Sequence, residues 1–178
     1  MRARFGVAVH DGYGLTEASP VVTTTAIEAE PRRGSIGPPL PGVEVHVVDR
    51  DGHAVLEGDP GEIIVRGPVV TQTYDALPAA TALAKIQASE SEPPHSPAWH
   101  RLGDCGFLDD AGRLWFCGRK AERVETAASP LYTEPCEQVF RGHPSVARCA
   151  LIGLGPRGRQ IPALVVEPAP GAALHSSR

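Results

Sequence analysis

Nineteen glycines and eighteen prolines punctuate these 178 residues, and that punctuation limits the fold more than any other property of the sequence. Glycine weakens a helix through backbone entropy, and proline through its missing N–H donor. The sequence therefore predicts many turns and few long helices. Val43, Val45 and Val47 alternate with Glu44 and His46, the period of a half-buried strand. Asp51-Gly52 and Asp59-Pro60-Gly61 are turn signals. The run Glu62-Ile63-Ile64-Val65-Arg66 follows as a second strand ending at Gly67. Together these pieces predict a small antiparallel β unit. Residues 105–108 and 113–117, joined by Asp109-Asp110-Ala111-Gly112, predict a hairpin.

The flanking segments are less regular. Residues 6–10 read as a short strand feeding a turn at Asp11-Gly12-Tyr13-Gly14, and the stretch from there to Pro41 as an extended loop. Residues 79–86 are the best helical candidate in the middle, followed by an exposed, mobile loop over 89–97. A new unit begins after Arg119. Thr133 is placed to cap a short helix that tolerates Pro135 in its first turn and ends at Gly142. Residues 146–153 and 161–167 read as strands, and the tail from Pro168 as frayed. Aromatic residues make up only 5% of the chain, so the core must rest on Val, Leu, Ile and Ala. The fold class is mixed α/β.

Several function classes are disfavoured. Net charge is -4 with no basic patch, which argues against nucleic-acid binding. No apolar stretch approaches the roughly 20 residues of a membrane helix. Met1-Arg2-Ala3-Arg4-Phe5-Gly6 has charge without the apolar run of a secretory signal. Cys105, Cys117, Cys136 and Cys149 are widely spaced, which argues against zinc and for reduced thiols in a cytoplasmic protein. Cys117 and Cys149 sit in apolar runs and read as small buried hydrophobes.

Three phrases carry chemistry. In Tyr13-Gly14-Leu15-Thr16-Glu17, glycines let the backbone approach a ligand, Thr16 offers a hydroxyl to a phosphate oxygen, and Glu17 offers a hard oxygen to Mg²⁺. Alone, the same residues describe a surface turn and a helix cap. In Trp99-His100-Arg101-Leu102-Gly103-Asp104, Asp104 can accept two hydroxyls of a ribose, or simply occupy a tight turn. In Cys117-Gly118-Arg119-Lys120, Arg119 suits phosphate or ribose oxygens, or a solvated strand end. His53, His95, His100 and His143 are scattered without metal spacing; His10, beside the glycine turn, is the better candidate to line a pocket.

Joined in order, these phrases resemble the adenylate-forming synthetase superfamily of acyl-CoA synthetases, luciferases and peptide-synthetase adenylation domains. Tyr13-Gly14-Leu15-Thr16-Glu17 is similar to the family's Y-G-x-T-E motif. Gly34-Ser35-Ile36-Gly37-Pro38-Pro39-Leu40-Pro41-Gly42, Pro60-Gly61-Glu62-Ile63 with Arg66-Gly67, Leu102-Gly103-Asp104, Gly118-Arg119 and His143-Pro144-Ser145-Val146 resemble further family segments in the family's order. The phrasing around Trp99, Trp115 and Val124-Glu125-Thr126 resembles the olefin-biosynthesis β-lactone synthetases.

The resemblance implies that a substrate carboxylate attacks the α-phosphate of Mg·ATP, leaving an acyl-adenylate and pyrophosphate. Asp11, Gly12, Tyr13 and Gly14 would line the nucleotide, Thr16 hold phosphate, Glu17 hold Mg²⁺, Asp104 hold ribose and Arg119 contact the nucleotide. Thr16 and Glu17 would be the catalytic pair, and the acid a fatty or β-hydroxy acid. A β-hydroxyl would then close a lactone; CoA enters only in a thioester-forming relative. Residues 1–118 would be the end of the large adenylation domain with its antiparallel β subdomain, and 119–178 the hinge and the start of the small C-terminal α/β domain. The family's upstream phosphate loop and late lysine are not in these residues, Ala121 lacks the Asp or Lys common at the hinge, and Glu125 replaces a frequent lysine. The resemblance thus implies an internal portion, weak or inactive alone, with exposed core surface that favours self-association. The other reading is a non-catalytic β-rich interaction module that keeps these phrases as relics.

Overall fold

The computed structural model describes residues 2–28, 30–87 and 96–172. The chain divides into two compact units, Met1–Phe116 and Cys117–Arg178. The first contains α1 (Arg2–Phe5), β1 (Gly12–Tyr13), β2 (Thr23–Thr24), β3 (Glu44–Val48), β4 (Gly61–Arg66), α2 (Pro78–Ala84), β5 (Lys85–Ile86), β6 (Trp99–Leu108) and the first half of β7 (Leu114–Arg119). Short 3₁₀ turns occupy Thr16–Ala18 and Thr25–Ile27. The class is mixed α/β, and the pairings of β1 with β2, β3 with β4, β4 with β6 and β5 with β6 are all antiparallel.

The central sheet runs β3-β4-β6-β5, with β7 also paired to β6. The predicted β3 and β4 pair antiparallel with Val45 opposite Val65 and Val47 opposite Ile63. β4 is buried on both faces. Ile63 and Val65 join Val22, Val45, Val70, Leu102 and Leu114 in one core. Ile64 faces a smaller cluster with Val48 and Trp99. Burying an aliphatic side chain of this size contributes about 1.5–3 kcal/mol, so β4 is the element on which both layers depend. Glu62, also buried, is held by the Arg101 guanidinium.

Three expectations for the first unit need correction. Residues 6–10 form no strand, and Val7 and Val9 are exposed. The pairing falls instead on Gly12 and Tyr13, expected in a turn, because Thr23 and Thr24 lie opposite them. The expected helix over 79–86 is α2, which ends at Ala84. Lys85 is extended, with φ −114° and ψ 137°, and gains ladder bonds opposite His100 that a further helical turn would forfeit. The stretch expected to be one extended loop is tied down by β2 and by the Thr23–Pro39 bridge. Most of the loop expected over 89–97, and the end of the tail, lie outside the described residues.

The second unit contains β8 (Val124–Glu125), β9 (Pro130–Leu131), α3 (Thr133–Arg141), β10 (Val146–Leu154) and β11 (Ile161–Pro168). β10 and β11 form the expected antiparallel pair. Thr133 is the first helical residue, and Tyr132 stands at the cap without a side-chain bond. The reason is close approach: Thr133 is buried, and a Cβ on Gly118 would meet its Oγ1 at 2.2 Å. Gly142 ends the helix in a right-handed conformation. Cys117 is buried as expected. Cys149 is only half-buried, and its thiol donates to the Glu137 carbonyl at 3.5 Å.

Candidate functional site

The first phrase folds into a bracket. The Asp11 N–H donates to Thr25 Oγ1 at 2.8 Å, and the Asp11 carbonyl accepts the Thr24 hydroxyl at 2.9 Å and the Thr25 N–H at 3.0 Å. The Val22 N–H closes on the Tyr13 carbonyl at 2.7 Å. These bonds fix residues 11–13 as an exposed rail with half-buried Tyr13 at its end. Gly14 is demanded by packing. A Cβ there would lie 1.8 Å from the Pro20 carbonyl oxygen. Thr16 is exposed and Glu17 half-buried on the 3₁₀ turn that follows, which Ser19 closes in the left-handed region at φ 55°.

Asp104 arrives from the opposite side of the sequence. Along β6 the pairing shifts register, from Arg101 opposite Ile64 to Cys105 opposite Glu62. Gly103 takes φ 71° inside that bulge. Bulges re-aim side chains, and here Asp104 accepts the Tyr13 hydroxyl on Oδ2 at 2.6 Å. Asp104 itself is buried. The first two phrases, 91 residues apart, are thus joined by a side-chain hydrogen bond.

Glu17 sits in a second polar cluster. The Tyr74 hydroxyl donates to Glu17 Oε1 at 2.8 Å, and the Thr71 N–H donates to the Glu17 carbonyl at 2.8 Å. The Lys85 ammonium donates to the Thr71 carbonyl, and the Tyr74 N–H to Thr81 Oγ1 at 2.9 Å. Lys85 and His100 are cross-strand partners, both buried. The Tyr74 ring meets the His100 ring edge-on at 6.3 Å.

The electrostatics follow from this packing. The Tyr74 hydroxyl, aided by a backbone N–H and by the Lys85 charge, holds the Glu17 carboxyl below its usual range against the effect of burial. Burial raises the Tyr74 hydroxyl, and its bond to Glu17 adds to that. Burial lowers Lys85, offset in part by Glu17. Burial, then the Lys85 charge, lowers His100 and favours the neutral imidazole. Glu17 is therefore an ionised carboxylate with one oxygen taken by a phenol, a donor set suited to a hard divalent cation such as Mg²⁺.

The structure places Asp11, Gly12, Tyr13, Gly14, Thr16, Glu17 and Asp104 on the first unit, with Tyr13 bonded to Asp104. Arg119, the last residue of β7, is exposed and belongs to the second unit. His10 is exposed. Sequence reasoning missed Tyr74 and Lys85, and passed over His100 for want of metal spacing. Tyr74 lies 57 residues from Glu17, and no local pattern announces that contact.

The sequence profile of the AMP-binding enzyme family matches residues 1–75. An olefin β-lactone synthetase from Xanthomonas campestris pv. campestris is 44% identical over 90% of this chain, which covers 32% of that protein. A long-chain-fatty-acid–CoA ligase from Escherichia coli is 33% identical over 90% of this chain and 27% of its own length. The chain spans about a third of the length of the curated relatives it matches. The crystal structure of ATP-bound MatB from Rhodopseudomonas palustris superposes with a TM-score of 0.82 at 28% identity, covering 98% of this chain and 33% of that one.

Proposed function

We propose that this chain, whose residues 1–75 match the AMP-binding enzyme family, is a portion of an adenylate-forming enzyme and carries the magnesium- and ribose-facing side of a site that activates a carboxylic acid as its acyl-adenylate. The observation that carries this reading is the pairing of two carboxylates with two tyrosines in one unit: Tyr13 on Asp104 and Tyr74 on Glu17. Tyr13 and Glu17 belong to one five-residue phrase, so the two carboxylates are held in a common frame.

Each residue has a chemical task. Glu17, kept ionised by Tyr74, would hold Mg²⁺ with Thr16 offering its hydroxyl to a phosphate oxygen. Bound there, Mg²⁺ would screen the phosphate charge that repels an incoming carboxylate. Asp104, oriented by Tyr13, would accept the ribose hydroxyls, and residues 11–14 would line the nucleotide. Arg119 would contact the nucleotide. The substrate carboxylate displaces pyrophosphate from the α-phosphate, forming one P–O bond as another breaks. Residues 1–118 would then be the end of the large domain, and 119–178 the hinge and the start of the small domain.

Identity to a β-lactone synthetase and to fatty-acid ligases supports a fatty or β-hydroxy acid as substrate. With a β-hydroxy acid, the internal hydroxyl can attack the activated carbonyl at high effective concentration and expel AMP. With a thioester-forming partner reaction, CoA would be the nucleophile.

The ribose assignment has a direct test. In the natural polypeptide that carries these residues, ATP should bind about tenfold tighter than its 2′,3′-dideoxy analogue, the effect of lost hydrogen bonds to a charged acceptor. Asp104→Ala should erase that preference, measured by isothermal titration. A preference that survives Asp104→Ala would overturn the assignment.

A further inference from the structure

A buried lysine is rare unless it is paired, and Lys85 is 7% exposed with its ammonium on a backbone carbonyl rather than a carboxylate. Its cross-strand neighbour is His100, itself 2% exposed. Two basic side chains placed opposite each other on β5 and β6 are costly to bury. The Lys85 ammonium grips Thr71. The Thr71 N–H grips the Glu17 carbonyl, and three residues on, the Tyr74 hydroxyl grips the Glu17 carboxylate. The far end of the segment is tied to α2, where Thr81 Oγ1 accepts the Tyr74 N–H.

Resting on the reading of Glu17 as the Mg²⁺ carboxylate, we propose that residues 71–74 are a strap that positions Glu17, with Tyr74 and Lys85 as its positioning residues. The strap holds Glu17 at two points, main chain and side chain, and is itself anchored at two points, β5 and α2. A carboxylate on an isolated 3₁₀ turn would be free to rotate. Here one oxygen is fixed by the phenol, which leaves the other to face a cation. Fixing the ligand before the metal arrives lowers the ordering cost of binding. It also explains why the chain leaves the helix at Ala84. An extended Lys85 points its ammonium at Thr71 from beside His100, which the continued helix would not do.

The test separates metal-dependent from metal-independent binding in the natural polypeptide. Mn²⁺ with ATP, followed by electron paramagnetic resonance, reports on Glu17; AMP in the presence of a chelator, followed by calorimetry, reports on the ribose side alone. Tyr74→Phe and Lys85→Met should each weaken Mn²⁺·ATP binding about tenfold, the loss of one hydrogen bond to or through a charged group, while leaving AMP binding unchanged. Lys85→Arg should restore most of the loss. Equal losses in both assays, or no loss in either, would overturn the strap. Should Lys85→Met fail to fold, Tyr74→Phe, which removes a single hydroxyl, decides the matter alone. Glu17→Gln is the reference. If it too leaves Mn²⁺·ATP binding intact, the metal reading of Glu17 fails; if it weakens binding while Tyr74→Phe and Lys85→Met do not, only the strap fails.

Discussion

Gly14 shows how tightly single residues hold the candidate site. It lies between Tyr13, which reaches Asp104, and the turn that presents Glu17. The backbone of Pro20 and Val21 crosses directly over it, so a Cβ would be 1.8 Å from a carbonyl oxygen and 2.8 Å from a Cα. Neither atom can move as a side chain could. Gly14→Ala is expected to cost about 3–5 kcal/mol of stability, in the range of severe steric strain, read from the urea midpoint of unfolding. A variant within about 0.5 kcal/mol of the parent, the usual scatter of surface substitutions, would show that this crossing is not present. Glycine at this position therefore has a packing reason, independent of any nucleotide. Gly12, by contrast, has nothing within 4 Å of its Cβ position and needs no such explanation from the fold.

Among elements, the β6–β7 turn is organised by one side chain. Asp109 Oδ1 accepts the N–H groups of Ala111 and Arg113, and Oδ2 accepts Arg113 Nε and Trp115 Nε1, both at 2.9 Å. Burial would raise its carboxyl, but the Trp115 indole, the Arg113 guanidinium and the two backbone groups outweigh it and hold it at about 2 instead of 3.8. The folded value is depressed, so the stabilisation is complete above the unfolded value and lost as pH falls through the folded one. Its size is about 2 kcal/mol. Asp109→Asn should therefore lower stability by about that amount at pH 6, and the gap to the parent should close between about pH 4 and pH 2. Urea titrations across that range check it; a gap independent of pH would contradict the role of the charge.

The same element was legible in advance, as were β3 and β4, because their signals are local: Asp-Gly turns and a two-residue alternation. β1 and β5 were not. Gly12-Tyr13 becomes a strand only because Thr23-Thr24 lies beside it. Lys85-Ile86 leaves an alanine-rich helix only because Trp99-His100 offers ladder bonds. The site divides the same way. Tyr13, Glu17 and Asp104 stood out as phrases, whereas Tyr74, Lys85 and His100 matter through contacts that no short window contains.

At the scale of the molecule, the chain is two compact units, and among the described residues no helix is long and apolar enough to cross a membrane. Five features of one unit converge on two carboxylates: the threonine bracket, the Gly14 crossing, the β6 bulge, and the two tyrosine hydroxyls. The outward face of β10 and β11 exposes Ile152, Leu154, Ile161 and Val165, apolar surface of the kind that favours association. In the proposed function, Glu17 serves the activation of a carboxylic acid by ATP. Its most direct test is exchange of labelled pyrophosphate into ATP, dependent on a fatty or β-hydroxy acid, in the natural polypeptide and its Glu17→Gln variant. Exchange is expected in the parent, with a fall of at least about tenfold in the variant, the scale of losing one charged transition-state contact. Exchange at the parental rate in Glu17→Gln would contradict it.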